Sequence, residues 1–187
     1  MTTDLEFQKL MPGDTIPPAI SELYIAAFPE EERRPLESIR QRIEAGDPVF
    51  NFFILRHGGK EVGFTTVWRL PGATYIEHFA IFPNLRGHGY GADVITELLD
   101  KTRLENLGLN PSAPLVLEVE LPESSDMAVR RIKFYRRCGL KPMEDFPYFQ
   151  PPYVQGQSEV PMMLMTSAPL PDPEGFVIIL HTIVYNQ

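Results

Sequence analysis

Glycines at positions 87, 89 and 91 alternate with His88 and Tyr90 directly behind Arg86, in the stretch IFPNLRGHGYGADVITELL. With no side chains in the way, successive backbone N–H groups can converge on one point, and a helix starting behind them adds partial positive charge. Such a turn binds an anion, and a pyrophosphate is its natural guest. Tight turns need glycine too, so the cluster alone leaves a purely structural use open. No Gly-Lys-Ser/Thr follows, which argues against a mononucleotide P-loop. The spacing also differs from the G-x-G-x-x-G of dinucleotide-binding βαβ units.

The turn needs a strand before it and a helix behind it, and the neighbouring residues supply both. NFFILRH, EVGFTTVWRL and TYIEHFAIF are three β-rich runs joined by HGGK and a Pro-Gly turn, the pattern of an antiparallel meander. From Gly89 to Leu107 the spacing becomes helical, with Ile95, Leu98 and Leu99 facing inward. LVLEVE at 115–120 returns to a strand, and Ala128, Ile132 and Tyr135 line one side of a following helix. Upstream, Leu5 to Leu10 suggests a short first strand. Ile20, Leu23, Tyr24 and Ala27 then form a helical stripe, and Leu36 to Ile43 repeats it more weakly across the charged FPEEERRP segment.

From Lys141 onward prolines crowd the chain and exclude long regular elements, although VPMMLMT can supply one strand. FVIILHTIVY has strand-like composition, but Asp172, Pro173 and Glu174 before it form a helix start, so a terminal helix is expected. One domain over 1–187 follows, of class α/β (α+β). Its mixed, mostly antiparallel sheet of about six or seven strands would be flanked by helices.

The string from Arg86 to Ala92 resembles the acyl-CoA loop of the GNAT superfamily, Arg/Gln-x-x-Gly-x-Gly/Ala, and Phe79-Ala80-Ile81 with Pro83 resembles the strand and proline before that loop. Lys133-Phe134-Tyr135-Arg136-Arg137-Cys138-Gly139-Leu140 is similar to the family's second helical motif. The resemblance spans roughly residues 50 to 140, in the family's order. It implies a sheet splayed between its fourth and fifth strands, here Tyr75 to Phe82 and Leu115 to Glu120, with acetyl-CoA in the splay. The backbone of Gly87, His88, Gly89, Tyr90, Gly91 and Ala92 would cradle the CoA pyrophosphate. Phe79 and Ile81 would pair with the pantetheine arm as with an added strand. An N–H on the fourth strand would polarise the thioester carbonyl.

The resemblance also implies an N-acetyltransferase, in which an amine attacks the thioester directly. A base must then take a proton from the amine, and an acid must meet the departing thiolate. Tyr135 matches the family tyrosine that faces the CoA sulfur, although a core-facing tyrosine would fall at the same helical spacing. Glu77 and Glu118 are the base candidates, each on one of the two parting strands. Either could instead be an ordinary strand carboxylate, and a water chain could relay the proton. By strand alternation Glu77 shares a face with Tyr75, Phe79 and Ile81, with His78 opposite as a satisfied core histidine. Glu118 shares a face with Val116 and Glu120. Many members carry asparagine where this chain has Ala128, which makes substrate carry-over unsafe. A ping-pong route through Cys138 is the lesser alternative.

Composition sets the outer bounds. Charged residues make up 22% of the chain and hydrophobic ones 43%, as in ordinary globular domains. A net charge of -8 with no basic face argues against nucleic acid as a partner. The amino terminus lacks a secretion signal and the longest apolar run is too short for a bilayer, so a cytoplasmic protein without membrane attachment is expected. One cysteine suits a reducing compartment. No metal is expected, and a monomer or homodimer is. The acceptor amine is not specified; the helical amino-terminal segment and the proline-rich region, with Phe146, Tyr148, Phe149 and Tyr153, are expected to grip it. The competing reading is a non-catalytic acyl-CoA-binding sensor or interaction module on the same fold.

Overall fold

The computed structural model describes residues 4–187; the first three residues of the amino-terminal stretch read above lie outside it. In chain order the elements are β1 (Leu5–Lys9), α1 (Pro18–Ala27), α2 (Leu36–Glu44), β2 (Phe50–His57), β3 (Lys60–Leu70), β4 (Ala73–Ile81), α3 (Tyr90–Leu99), α4 (Lys101–Asn106), β5 (Leu115–Glu120), α5 (Asp126–Arg137), β6 (Lys141–Pro142), β7 (Tyr148–Gln150), β8 (Val160–Thr166) and α6 (Pro173–Ile183). Single 3₁₀ turns lie at Glu30–Glu32 and Pro83–Leu85.

The strands form one 8-stranded sheet in the order β1-β2-β3-β4-β5-β8-β6, with β7 also on β8. β6 and β7 share the outer edge of β8, at Thr166 and Met165 and at Met162 to Val160 respectively. The expected six or seven strands become eight because β6 and β7 are two and three residues long, too short for any periodicity to register. Every pairing is antiparallel except β4 with β5.

Helices cover both faces. Trp68, Phe64, Phe52 and Tyr75 pack with Ile20 and Tyr24 of α1, Ile39 of α2 and Leu180 of α6. On the other face Val67, Ile76 and Leu117 pack with Val94 and Leu98 of α3, Leu104 of α4 and Ile132 of α5. The helices begin where the side chains dictate. Ser125 caps α5 by accepting from the Ala128 N–H at 3.0 Å, and Asp172 caps α6 through the Gly175 N–H at 2.9 Å with Pro173 at the first helical position. The terminal helix forms as expected. The single helix expected over 89–107 is two: Asp100 takes an extended backbone and accepts from the Arg103 N–H at 2.8 Å, so a cap interrupts the periodic run. No described helix is long and apolar enough to cross a membrane.

Candidate active site

The glycine turn joins β4 to α3. Gly87 and Gly89 have φ of 82° and 91°, in the left-handed region that side chains resist, and Gly89 is the cap of α3. A β-carbon at either position would meet nothing within 4 Å, so open space lies in front of both. Gly91 answers to packing instead, because a β-carbon there would come within 3.3 Å of the Phe134 ring on α5. The first intrahelical bond runs from the Asp93 N–H to the Gly89 carbonyl at 3.0 Å. The N–H groups of Tyr90, Gly91 and Ala92 therefore have no carbonyl one turn behind them. Arg86 folds back, its Nε donating to the Ile81 carbonyl at 3.1 Å, and the exposed His88 ring sits 3.1 Å from the Arg86 carbonyl.

β4 and β5 pair only from Thr74 to Ile76, opposite Leu115 to Leu117. Beyond those residues β4 continues along β3 to Ile81, and β5 continues along β8 to Glu120, so the two strands part. The Phe82 N–H bonds the Val62 carbonyl, which fixes the phase of the antiparallel ladder. By its alternation, Phe79 and Ile81 turn their backbone polar groups away from β3 and into the gap, while Ala80 faces β3. The gap opens into a cleft of about 1070 Å³ whose wall includes Ile81, Arg86, Gly87, Gly89, Glu118 and Tyr135. A volume of this size accommodates a large cosubstrate.

Glu77 departs from the expected alternation. The β3–β4 register runs Val67↔Ile76 and then Thr66↔His78, leaving Glu77 without a partner. This β-bulge turns Glu77 and His78 to one side, with Tyr75, while Phe79 and Ile81 pack on the other. The expectation that Glu77 shares a face with Phe79 and Ile81, opposite His78, is thus corrected: strict two-residue alternation fails where an extra residue is inserted. His78 is a satisfied histidine, its N–H bonded to Thr66 Oγ1 at 3.0 Å and its Nε2 3.2 Å from the Glu32 carbonyl.

The Glu77 carboxylate is fully committed. Its Oε1 accepts from Arg34 Nε at 2.9 Å, Arg34 Nη2 at 2.8 Å and the Tyr153 hydroxyl at 3.0 Å, and its Oε2 accepts from Trp68 Nε1 at 2.8 Å. Burial pushes its pKa up, but Arg34, His78 and Trp68 outweigh burial and hold the carboxyl far below the ordinary range. A carboxylate that accepts from four donors and has so low a basicity takes no proton near neutrality.

Glu118 is tuned the opposite way. It faces Tyr148 and Tyr185, on the side of Val116 as expected. The Tyr148 hydroxyl donates to Oε1, and the Tyr185 hydroxyl lies 3.1 and 2.9 Å from the two carboxylate oxygens. Burial pushes Glu118 up, and the tyrosine hydrogen bonds offset it in part, leaving a pKa of about 7. The two carboxylates are linked through Tyr153 and Tyr185, whose hydroxyls are 3.4 Å apart. Two titratable groups driven in opposite directions within one hydrogen-bonded cluster is the pattern of a site with assigned proton roles.

Tyr135, on the buried side of α5, reaches the cleft from across the gap. Its hydroxyl takes part in no hydrogen bond among the described residues, and burial pushes its pKa up to about 12. Cys138 also lines the cleft, with its thiol raised by burial.

Sequence reading brought Glu118, Tyr135 and the glycine turn to one cleft but missed Arg34, Trp68 and Tyr185. The lone tryptophan was a signal, since a buried indole N–H demands an acceptor. Arg34 was hidden in FPEEERRP, read only as a charged connection between two helices, yet it is 3% exposed.

The Acetyltransferase (GNAT) domain family model matches residues 48–142. A GNAT-family protein from Bacteroides thetaiotaomicron is 39% identical over 90% of this chain and 91% of its own, with a TM-score of 0.78. Two further structures share the fold at low identity. A Bacillus subtilis acetyltransferase in complex with CoA is 12% identical over 89% of this chain and 98% of its own, with a TM-score of 0.56. A GNAT-family acetyltransferase from Elizabethkingia anophelis with acetyl-CoA bound is 15% identical over 88% and 98%, also with a TM-score of 0.56. No curated protein matches the chain.

Proposed function

Because the chain belongs to the GNAT acetyltransferase family, we propose that it moves the acetyl group of acetyl-CoA to a primary amine by direct attack, with Glu118 as base and Tyr135 beside the leaving thiolate. The observation that carries this reading is the convergence of the glycine turn, Glu118 and Tyr135 on one cleft between the parted strands. The N–H groups of Tyr90, Gly91 and Ala92, with those of the glycine turn, would hold the pyrophosphate at the helix end. The free edges of Phe79 and Ile81 would pair with the pantetheine arm. That arm would bring the thioester to the point where β4 and β5 separate, with Glu118 on one side.

Of the two carboxylates, the chemistry selects Glu118. A group with a pKa of about 7 is substantially ionised at neutral pH and still basic enough to take the proton that the nitrogen sheds as the C–N bond forms. Glu77 stays ionised and bonded throughout, holding the bulge and Arg34 in place. Tyr135 is protonated at any working pH. Complete transfer of its proton to a thiolate of ordinary basicity, ~8.5, would run uphill by about 3.5 pKa units. Its phenol therefore acts mainly as a hydrogen-bond donor to the sulfur as negative charge develops there. The raised thiol of Cys138 makes it a poor nucleophile, which favours direct attack over a covalent intermediate.

The test is thiol release from acetyl-CoA across a panel of polyamines, amino acids, aminoglycosides and peptide amino termini, alongside calorimetry of acetyl-CoA binding. Turnover with an amine, lost in Glu118→Gln, supports the reading. Tight acetyl-CoA binding with no thiol released across the whole panel overturns it in favour of a non-catalytic module.

A further inference from the structure

Past Glu118 the cleft continues along a wall that includes Phe28, Glu32, Gln150 and Met162. It adjoins a second hollow of about 500 Å³, with Ala26, Ala27, Phe28, Glu32, Met127 and Arg131 common to both. The polar groups here differ in whether they are occupied. Glu77 is taken by Arg34 and Glu120 by Arg131 at 2.7 Å. Arg33 spends its Nη1 on the Ile25 and Phe28 carbonyls at 3.1 and 3.2 Å. The Glu32 carboxylate has neither an ion-pair nor a hydrogen-bond partner among the described residues, although the residue is half-buried; burial and the charge of Glu120 push the carboxyl up to about 7 against the opposing charge of Arg131.

Gln150 is the second observation. It is 2% exposed and forms part of the cleft wall. Its Nε2 donates to the Glu31 carbonyl at 3.3 Å, which sets the orientation of the amide and leaves Oε1 without a donor among the described residues. That carbonyl lies on the cleft wall and can accept from a ligand that donates to it. The Glu32 carboxylate and the Gln150 carbonyl thus offer two unpaired acceptors, set among the apolar surfaces of Phe28, Met162 and Met127. The complementary ligand is a donor-only cation on an aliphatic body.

Resting on the amine acetylation proposed above, we propose that the acceptor is an aliphatic amine with a second ammonium group, its reacting nitrogen at Glu118 and its distal nitrogen held by Glu32 and Gln150. Glu32 and Gln150 are then specificity-determining residues. They touch the acceptor and take no part in the chemical step.

The experiment compares kcat/KM for α,ω-diamines of three to six carbons with that for butylamine, by thiol release from acetyl-CoA. The best diamine should exceed butylamine by about tenfold, the scale of one charge-assisted hydrogen-bonded contact. In Glu32→Gln and in Gln150→Leu that ratio should fall to about threefold or less, with calorimetric acetyl-CoA binding confirming that each variant is folded. Equal kcat/KM for the two amine classes in the native protein overturns the inference, as does a ratio unchanged in both variants or a preference for amino-acid acceptors. Thiol release with none of the amines, in a protein that binds acetyl-CoA, is a different result. It removes the transferase reaction itself, and this inference with it.

Discussion

The Tyr185 hydroxyl lies 2.9 Å from one Glu118 oxygen and 3.1 Å from the other, and it reaches them from just beyond α6, on the far side of the sheet from α5 and Tyr135. A donor to the ionised carboxylate lowers its pKa against the upward push of burial. If Glu118 is the base, kcat/KM rises as pH climbs through about 7, where the carboxyl loses its proton. Tyr185→Phe removes a bond that favours the charged form, so the pKa rises further and the ascending limb moves to higher pH, by about one unit. A merely structural tyrosine would change the height of the profile and leave the limb in place.

Glu118→Gln keeps the shape of the side chain and removes its basicity. We expect kcat to fall about 10²- to 10⁴-fold with acetyl-CoA affinity nearly unchanged, measured by steady-state kinetics and calorimetry. The same variant carries a stability signature. Folding raises the Glu118 pKa from 4.5 to about 7, so the folded state holds the proton more tightly than the unfolded one, and stability contributed by this group is lost as pH rises across that window. At pH 8 the neutral amide should be no less stable to denaturant than the parent.

Tyr135→Phe deletes a hydroxyl that bonds nothing among the described residues. Thermal stability should be unaffected, acetyl-CoA affinity should change less than about twofold, and kcat should fall by about ten- to a hundredfold. Unchanged kcat would remove Tyr135 from the reaction.

Gly89→Val tests the anion turn. The native φ of 91° is strained for any side chain, and the new side chain would project into the open space in front of the turn. Acetyl-CoA affinity by calorimetry should fall by more than about tenfold, the loss of a single charge-assisted contact being of that order.

Glu77→Gln addresses the carboxylate assigned no proton chemistry. Its side chain is 0% exposed and neutralises Arg34, so the variant leaves a buried guanidinium uncompensated. Removing one partner of such a pair costs about 3–5 kcal/mol, readable as a large drop in denaturant midpoint. A full-stability variant with only its activity lost would instead make Glu77 the base.

Much of this was legible in the sequence because it rests on local chemistry. The glycine turn, the capped helices at 125–137 and 172–183 and the meander each announce themselves through residues adjacent in the chain. Long-range chemistry did not show. Arg34 meets Glu77 across 43 residues, and Tyr185 meets Glu118 across 67, so no spacing rule could have paired them. The environment that separates the two carboxylates, four donors on one and burial with tyrosine hydroxyls on the other, exists only once α6, the residues from β7 to Tyr153 and the turn at 30–34 come together around β4 and β5. The bulge was invisible for another reason: TYIEHFAIF alternates well enough to read as a regular strand, and a single inserted residue is decided by pairing with β3.

That insertion is phase-neutral. Omitting position 77 on paper, the order Tyr75, Ile76, His78, Phe79, Ala80, Ile81 alternates sides without a break, matching the way these residues distribute between the two cores. The strand therefore behaves as an intact ribbon to which one carboxylate has been added, and a chain shortened by that residue would return every neighbour to its present side. What such a deletion would leave behind is an arginine with no counter-ion, so Arg34 and Glu77 stand or fall as a unit that the rest of the ribbon does not require.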